Sequence, residues 1–142
     1  MQLERIFFFY ENVADTQPWF DKRFAKEINT GKYRRLRDLS AFNNLLDGEI
    51  KSSGYVVHTL EAAIWCLLNT DSYSECVLLA VNLGDDTDTV GAVAGGLAGL
   101  AYGAENIPAK WIDVIARKEW INDLCNDFAE IMDSKSYCSQ LM

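Results

Sequence analysis

Gly84-Asp85-Asp86-Thr87-Asp88-Thr89-Val90-Gly91 runs without a break into Ala92-Val93-Ala94-Gly95-Gly96-Leu97-Ala98-Gly99-Leu100-Ala101-Tyr102-Gly103, so three carboxylates stand at the mouth of an apolar, glycine-rich segment. Asp85, Asp86 and Asp88 repel one another in a partly buried turn unless a positive charge sits among them. Hard oxygen ligands of this kind suit Mg²⁺, Mn²⁺ or Ca²⁺ better than zinc. A helix beginning at Thr89 adds its positive end to the same point. With Asp86 and Asp88 in the turn and Thr89 opening the helix, two carboxylates and a hydroxyl can converge on one ion. The competing reading is a helix cap and nothing more, since Asp and Thr are both common at helix N-termini.

Two other acidic motifs are weighed against this one. An EF-hand loop counted from Asp86 needs an acidic or amide residue at its fifth position and a carboxylate at its twelfth, where this chain has Val90 and Leu97. Asp86-Thr87-Asp88-Thr89-Val90 also looks like the nucleophile motif of haloacid-dehalogenase-type phosphatases. That motif closes a buried apolar strand. Here Gly84 and Asp85 intervene and a long glycine-rich helix follows, which leaves the phosphatase as a weaker alternative.

The segment behind the acids is unusual for a helix. Gly91, Gly95, Gly99 and Gly103 recur every four residues along one ridge, with Ala92 and Gly96 beside it. A mid-helix Gly costs about 1 kcal/mol relative to Ala, so the ridge implies that another element packs closely on it. As a helix, Val90 to Tyr102 spans about 20 Å against a hydrocarbon core of about 30 Å, which excludes a membrane span. The expectation is a buried central helix.

The remaining pattern is mainly helical. Val57, Leu60, Ile64, Leu67 and Leu68 trace one face of a helix from about Gly54 to about Leu68, broken by Asn69-Thr70-Asp71. Ser72 with Glu75 reads as a capping box for a helix ending near Gly84. Pro108 suits the first turn of a later helix, and Ile121, Leu124, Cys125, Phe128 and Met132 line a final amphipathic one. Lys22 to Arg37 is mixed in charge and fits either helix or loop. Trp65, Trp111 and Trp120 are expected in the core. His58, the one histidine in the chain, is expected as a surface or packing residue.

Ser53-Gly54-Tyr55-Val56-Val57-His58-Thr59-Leu60-Glu61-Ala62-Ala63-Ile64-Trp65, then Ala80-Val81-Asn82-Leu83-Gly84-Asp85-Asp86-Thr87-Asp88-Thr89 and the glycine helix, resemble the C-terminal half of the ADP-ribosylglycohydrolase family. The resemblance covers about Arg34 to about Phe128, with Ile107-Pro108-Ala109-Lys110-Trp111 through Leu124 similar to the family's closing helices. It implies an all-α fold, with residues 1–142 a single partial domain corresponding to the C-terminal half. It implies two Mg²⁺ or Mn²⁺ ions held between an N-terminal Thr-Asp-Asp and a C-terminal Asp-x-Asp-Thr. Only the second motif occurs in this sequence. Asp15, Asp21, Asp38, Asp47 and Asp71 have no Thr-Asp-Asp context, and the family's N-terminal Gly-Asp signature is missing. His58 stands where many relatives carry Asp.

On this resemblance Asp86, Asp88 and Thr89 are metal ligands, while Ser53, Gly54, Tyr55 and Asp85 are ligand-binding residues. No catalytic residue is assigned. The implied reaction is metal-assisted hydrolysis of the glycosidic bond between ADP-ribose and an acceptor. Either a non-catalytic ADP-ribose-binding module or a decayed relative would keep the same residues.

Composition bounds the partners. A chain of 142 residues with 49% hydrophobic residues can bury one core. Its net charge of -8 argues against nucleic acid, and an anionic ADP-ribose would need local compensation by metal and helix N-termini. Cys66, Cys76, Cys125 and Cys138 form no paired framework, which suits free thiols in the cytoplasm. Ile6-Phe7-Phe8-Phe9-Tyr10 is too short an apolar run for a signal peptide. No membrane partner is expected. A chain this short of its relatives should expose apolar surface and self-associate or pair with a complementary N-terminal half.

Overall fold

The computed structural model describes residues 31–139, and all the regular elements among them are helical, in line with the all-α expectation. The Ile6–Tyr10 run, the start of the Lys22–Arg37 stretch and Cys138 fall outside the described residues and side chains. The chain divides between Ile107 and Pro108 into two compact units.

The first unit opens with a 3₁₀ turn at Arg34–Arg37 and a short helix α1 (Leu39–Asn43), whose N-terminus is capped by Asp38 accepting from the Ala41 N–H at 3.0 Å. After a second 3₁₀ turn at Asp47–Glu49 come α2 (Val56–Leu68), α3 (Tyr73–Asn82) and α4 (Thr87–Tyr102). The expected face of α2 is there, but burial goes further round. Thr59, Glu61, Ala62, Ala63, Trp65 and Cys66 are buried as well, because α1, α3 and α4 all pack on this helix. Ser72 caps α3 by accepting from Glu75 N–H at 3.2 Å. Glu75 reaches back to the Asp71 N–H rather than to that of Ser72, so the reciprocal arm of the box closes one residue early.

α4 packs on both α2 and α3. Its innermost row is Val90, Ala94 and Ala98, each fully buried. The glycine ridge lies one residue further round and faces α3. A Cβ on Gly91 would stand 3.0 Å from Val81 Cγ1, one on Gly95 3.3 Å from Tyr73 Oη and 3.6 Å from Val77 Cγ2, and one on Gly99 4.0 Å from Tyr73 Cε2. Ascending glycines therefore meet descending positions of α3, and the two helices run antiparallel with their backbones close. Gly103 is not part of this ridge. It lies past the helix with φ 90°, where a left-handed residue ends α4. The helix is central without being buried all round: Ala92, Gly96 and Leu100 are exposed, since α2 and α3 cover only two of its sides.

The far end of this layer is tied by polar contacts. Tyr102 Oη donates to Thr70 O at 2.6 Å, and Thr70 Oγ1 donates to Cys66 O at 2.7 Å, so the end of α4 is fixed to the α2–α3 turn. Trp65 is core, as expected, and its Nε1–H donates to Leu45 O at 3.1 Å.

The second unit holds α5 (Ala109–Ile112), a single turn entered through Pro108, and α6 (Lys118–Ser139). Ile121, Leu124, Phe128 and Met132 do recur at helical spacing, but all four are exposed. Trp120 is 61% exposed, so its expected core placement is corrected; Trp111 is half-buried. Among the described residues of its own unit the one other helix is the single-turn α5, too short to cover a stripe of this length.

Candidate functional site

The acidic turn is shaped by backbone that few side chains tolerate. Gly84 at φ 85° and Asp85 at φ 53° are successive left-handed residues, and together they turn the chain from α3 into α4. Asp85 is left exposed at the corner, and Asp86 becomes the N-cap. The helix therefore begins at Thr87, two residues before the expected Thr89, because Asp86 supplies the capping oxygen itself. Asp88 and Thr89 then fall in the first turn.

All three expected metal ligands converge there. Asp86 Oδ1 accepts from Thr89 N–H at 3.4 Å and Asp88 Oδ1 accepts from the same N–H at 2.9 Å. The Asp86 carboxyl is held below the ordinary carboxylate range, first by a hydrogen bond with the Thr89 side chain and then by one with the Asp88 side chain. Two carboxyl groups thus meet at the Thr89 N–H, at the positive end of a sixteen-residue helix, with the Thr89 side chain beside Asp86. The capping reading is also realised, in Asp86 Oδ1; the second oxygen, Oδ2, points the other way, at Gly54. Among the described residues no three His, Cys, Asp or Glu side chains form a group that could hold a metal, so protein donors here amount to the two carboxylates and the hydroxyl.

The Ser53-Gly54-Tyr55 loop is built against this turn. The Asp86 N–H donates to Ser52 O at 3.1 Å, while Ser52 Oγ donates to Gly84 O at 3.1 Å. Gly54 is the point of closest approach: a Cβ there would collide with Asp86 Oδ2. Thr59, one turn into α2, donates its hydroxyl to Ser53 O at 3.2 Å. Ser53 Oγ lies 2.7 Å from His58 Nδ1, and the His58 ring meets Tyr55 edge-on with centroids 5.1 Å apart. Tyr55 itself is 47% exposed, open to an incoming molecule.

Two structural anchors, one beside this turn and one on α2, escape the sequence reading. Ser52, only 1% exposed, staples the two loops, yet in sequence it is one serine of a Ser-Ser-Gly turn with nothing to mark it. Glu61 is 3% exposed and pairs with Arg35 at 3.0 Å, which also donates to Glu49 O and lies over the Phe42 ring. A charged residue between Leu60 and Ala62 on an otherwise apolar helix is the available signal. The phosphatase alternative loses its premise, since the residues before Asp86 form α3 and a turn rather than a strand.

The profile of the ADP-ribosylglycohydrolase family matches residues 6–137. The chain is 47% identical over 98 residues to the ADP-ribosylarginine hydrolase Tri1 of Serratia proteamaculans (strain 568), an alignment that takes in 68% of this chain and 24% of that protein. It is 40% identical over 68 residues to the ADP-ribosyl-[dinitrogen reductase] glycohydrolase of Rhodospirillum rubrum, covering 48% of this chain and 23% of that one. Against the ADP-ribosylhydrolase ARH3 of Mus musculus it is 29% identical over 122 residues, 71% of this chain and 32% of the relative. The chain thus spans between about a quarter and a third of the length of these relatives. The profile match reaches well beyond the Arg34–Phe128 range that carried the resemblance, and with the acidic turn, the glycine helix and the Ser53–Tyr55 loop in place, the chain belongs to the ADP-ribosylglycohydrolase family.

Proposed function

We propose that this chain forms one wall of a divalent-cation site that hydrolyses the glycosidic bond between ADP-ribose and an acceptor. The observation that carries the reading is the meeting of the Asp86 and Asp88 carboxyl groups at the Thr89 N–H of one helix N-terminus, with Gly54 of the neighbouring loop against Asp86. The donor set fits Mg²⁺ or Mn²⁺: it is all oxygen, and with three protein ligands it leaves the rest of an octahedron for water, substrate and other donors. Bound there, such an ion supplies charge stabilisation to ribose hydroxyls and to an attacking water.

The chain's own residues do the positioning. Thr89 N–H and the α4 dipole hold the carboxylates in place, and the same helix end offsets the repulsion that a net charge of -8 exerts on an anionic ligand. Ser53 and Tyr55 contact the ligand from the adjoining loop, and Asp85 lies exposed at its edge. In this reading a complementary segment with the missing acids completes the site. Because one relative is named an ADP-ribosylarginine hydrolase, ADP-ribosylarginine is the first substrate to try.

Calorimetric titration of ADP-ribose with Mg²⁺ or Mn²⁺ present tests the reading. Binding should be metal-dependent and lost in Asp86→Ala and Asp88→Ala, and Mg²⁺ alone should bind in about the millimolar range of the loosest oxygen-ligand sites. Equal heats from wild type and both variants would sink it. Binding of ADP-ribose without hydrolysis of ADP-ribosylarginine would favour a recognition module instead.

A further inference from the structure

His58 is used by none of the roles assigned above, yet it touches the loop on both sides of Gly54. Its Nδ1 is 2.7 Å from Ser53 Oγ, and its ring stands at 85° to that of Tyr55. Between those two residues lies the glycine that admits Asp86 Oδ2. A serine hydroxyl otherwise rotates to suit its surroundings, and a half-exposed tyrosine keeps rotamer freedom that a ligand must remove on binding. His58 takes away both freedoms at once.

We infer that His58 is a positioning residue of the ligand-contact loop, fixing the Ser53 hydroxyl and the Tyr55 ring beside Asp86 so that ligand meets them in one arrangement. This rests on the reading of Ser53–Tyr55 as ligand contacts. Main chain and side chains are held separately. Thr59 and Ser52 fix the backbone through Ser53 O and Gly84 O, so loss of the imidazole leaves the loop attached and frees only its side chains. The direction of the Ser53 bond follows the imidazole tautomer. With Nδ1 bare, Ser53 donates to it and offers the ligand lone pairs; with Nδ1–H, Ser53 accepts and its own proton is left for a ligand oxygen.

Because the chain has a single histidine, its imidazole nitrogens give an unambiguous NMR signature in the full chain. The amides of Ser53, Gly54 and Tyr55 are recorded without ligand in wild type, His58→Ala and His58→Asn, and ADP-ribose with Mg²⁺ is titrated into each and into Ser53→Ala and the double variant. His58→Ala should shift the three amides and weaken ADP-ribose binding by about tenfold, the loss of one hydrogen bond's worth of pre-organisation. His58→Asn, which keeps a polar atom near the Nδ1 position, should restore most of both. The double variant should lose less than the product of the two single losses. Wild-type amide shifts in His58→Ala, or fully multiplicative losses, would overturn the inference. If wild type itself does not take up ADP-ribose, the site reading fails, and the ligand-free amide shifts still decide whether His58 positions the loop.

Discussion

Asp86 Oδ2 occupies the space in which a Cβ on Gly54 would stand. Residue 54 does not need glycine for its own backbone, so the demand comes from the carboxylate. In Gly54→Ala the fold can escape the overlap by swinging the Asp86 side chain, the free end of the contact. That swing breaks the Oδ1 cap on Thr89, which is worth about 0.5–2 kcal/mol. Gly54→Ala should therefore be destabilised by about 0.5–2 kcal/mol, read as a lower melting midpoint, and lose the Mg²⁺-dependent heat. A variant with wild-type Mg²⁺ titration would show that Asp86 does not need the open space at residue 54.

The glycines of α4 divide by what they face. A methyl added at Gly96 would meet nothing within 4 Å, and the position is exposed, so Gly96→Ala should stabilise by about the 1 kcal/mol difference in helix propensity. Gly95 faces Tyr73 Oη and Val77, and Gly95→Leu should cost about 1–3 kcal/mol through overpacking. Paired thermal melts check both signs together. Identical midpoints for the two variants would mean that the ridge does not touch α3.

Much of this is legible in the sequence because it depends on local chemistry. The Asp86-Thr87-Asp88-Thr89 motif, the glycine spacing and the face of α2 are all set by residues within a few positions of one another. The start of α4 lies two residues ahead of its expected place because an Asp placed in the turn and an Asp that caps a helix look alike in sequence, and here Asp86 supplies the cap. Gly103 keeps the four-residue spacing of the ridge without belonging to it, since spacing does not reveal where a helix stops; a positive φ does. For Trp120 and the stripe on α6, periodicity identifies a face without showing whether anything covers it. Ser52 and the Arg35–Glu61 pair join residues 31–34 and 26 apart, separations at which sequence pattern carries no pairing information.

Glu61 has 4% of its side chain accessible and Arg35 34%, and Arg35 also holds Glu49 O and covers Phe42. Removing the arginine strands a carboxylate in the core, and breaking such a pair typically costs about 3–5 kcal/mol. Arg35 keeps part of its surface in water, so Arg35→Met should fall near the low end, about 3 kcal/mol. Arg35→Met with Glu61→Leu should recover most of that loss, because no charge then remains buried. Chemical denaturation of the three proteins measures it; a double variant as unstable as Arg35→Met would assign the loss to packing of the arginine stem instead.

Cys66 and Cys76 are fully buried under α4, whereas Cys125 is exposed. Burial is the main cause that pushes the Cys66 thiol up to about 12, with the neighbouring Cys76 adding to it, and burial likewise raises Cys76. A group whose value is raised in the folded state contributes stability that is fully present below its unfolded value, 9.0 for this thiol, and is lost as pH climbs toward the folded one. Unfolded chains ionise Cys66 first, so the folded state should weaken between about pH 9 and about pH 12. Cys66→Ala should flatten that decline relative to wild type, which separates the thiol from tyrosine and lysine titrations common to both. Alkylation mapped by mass spectrometry gives a second check: Cys125 should label in the native protein, and Cys66 and Cys76 only as it unfolds. Native labelling of Cys66 as fast as Cys125, or parallel pH curves for the two proteins, would mean that the thiol under α4 is reached by water.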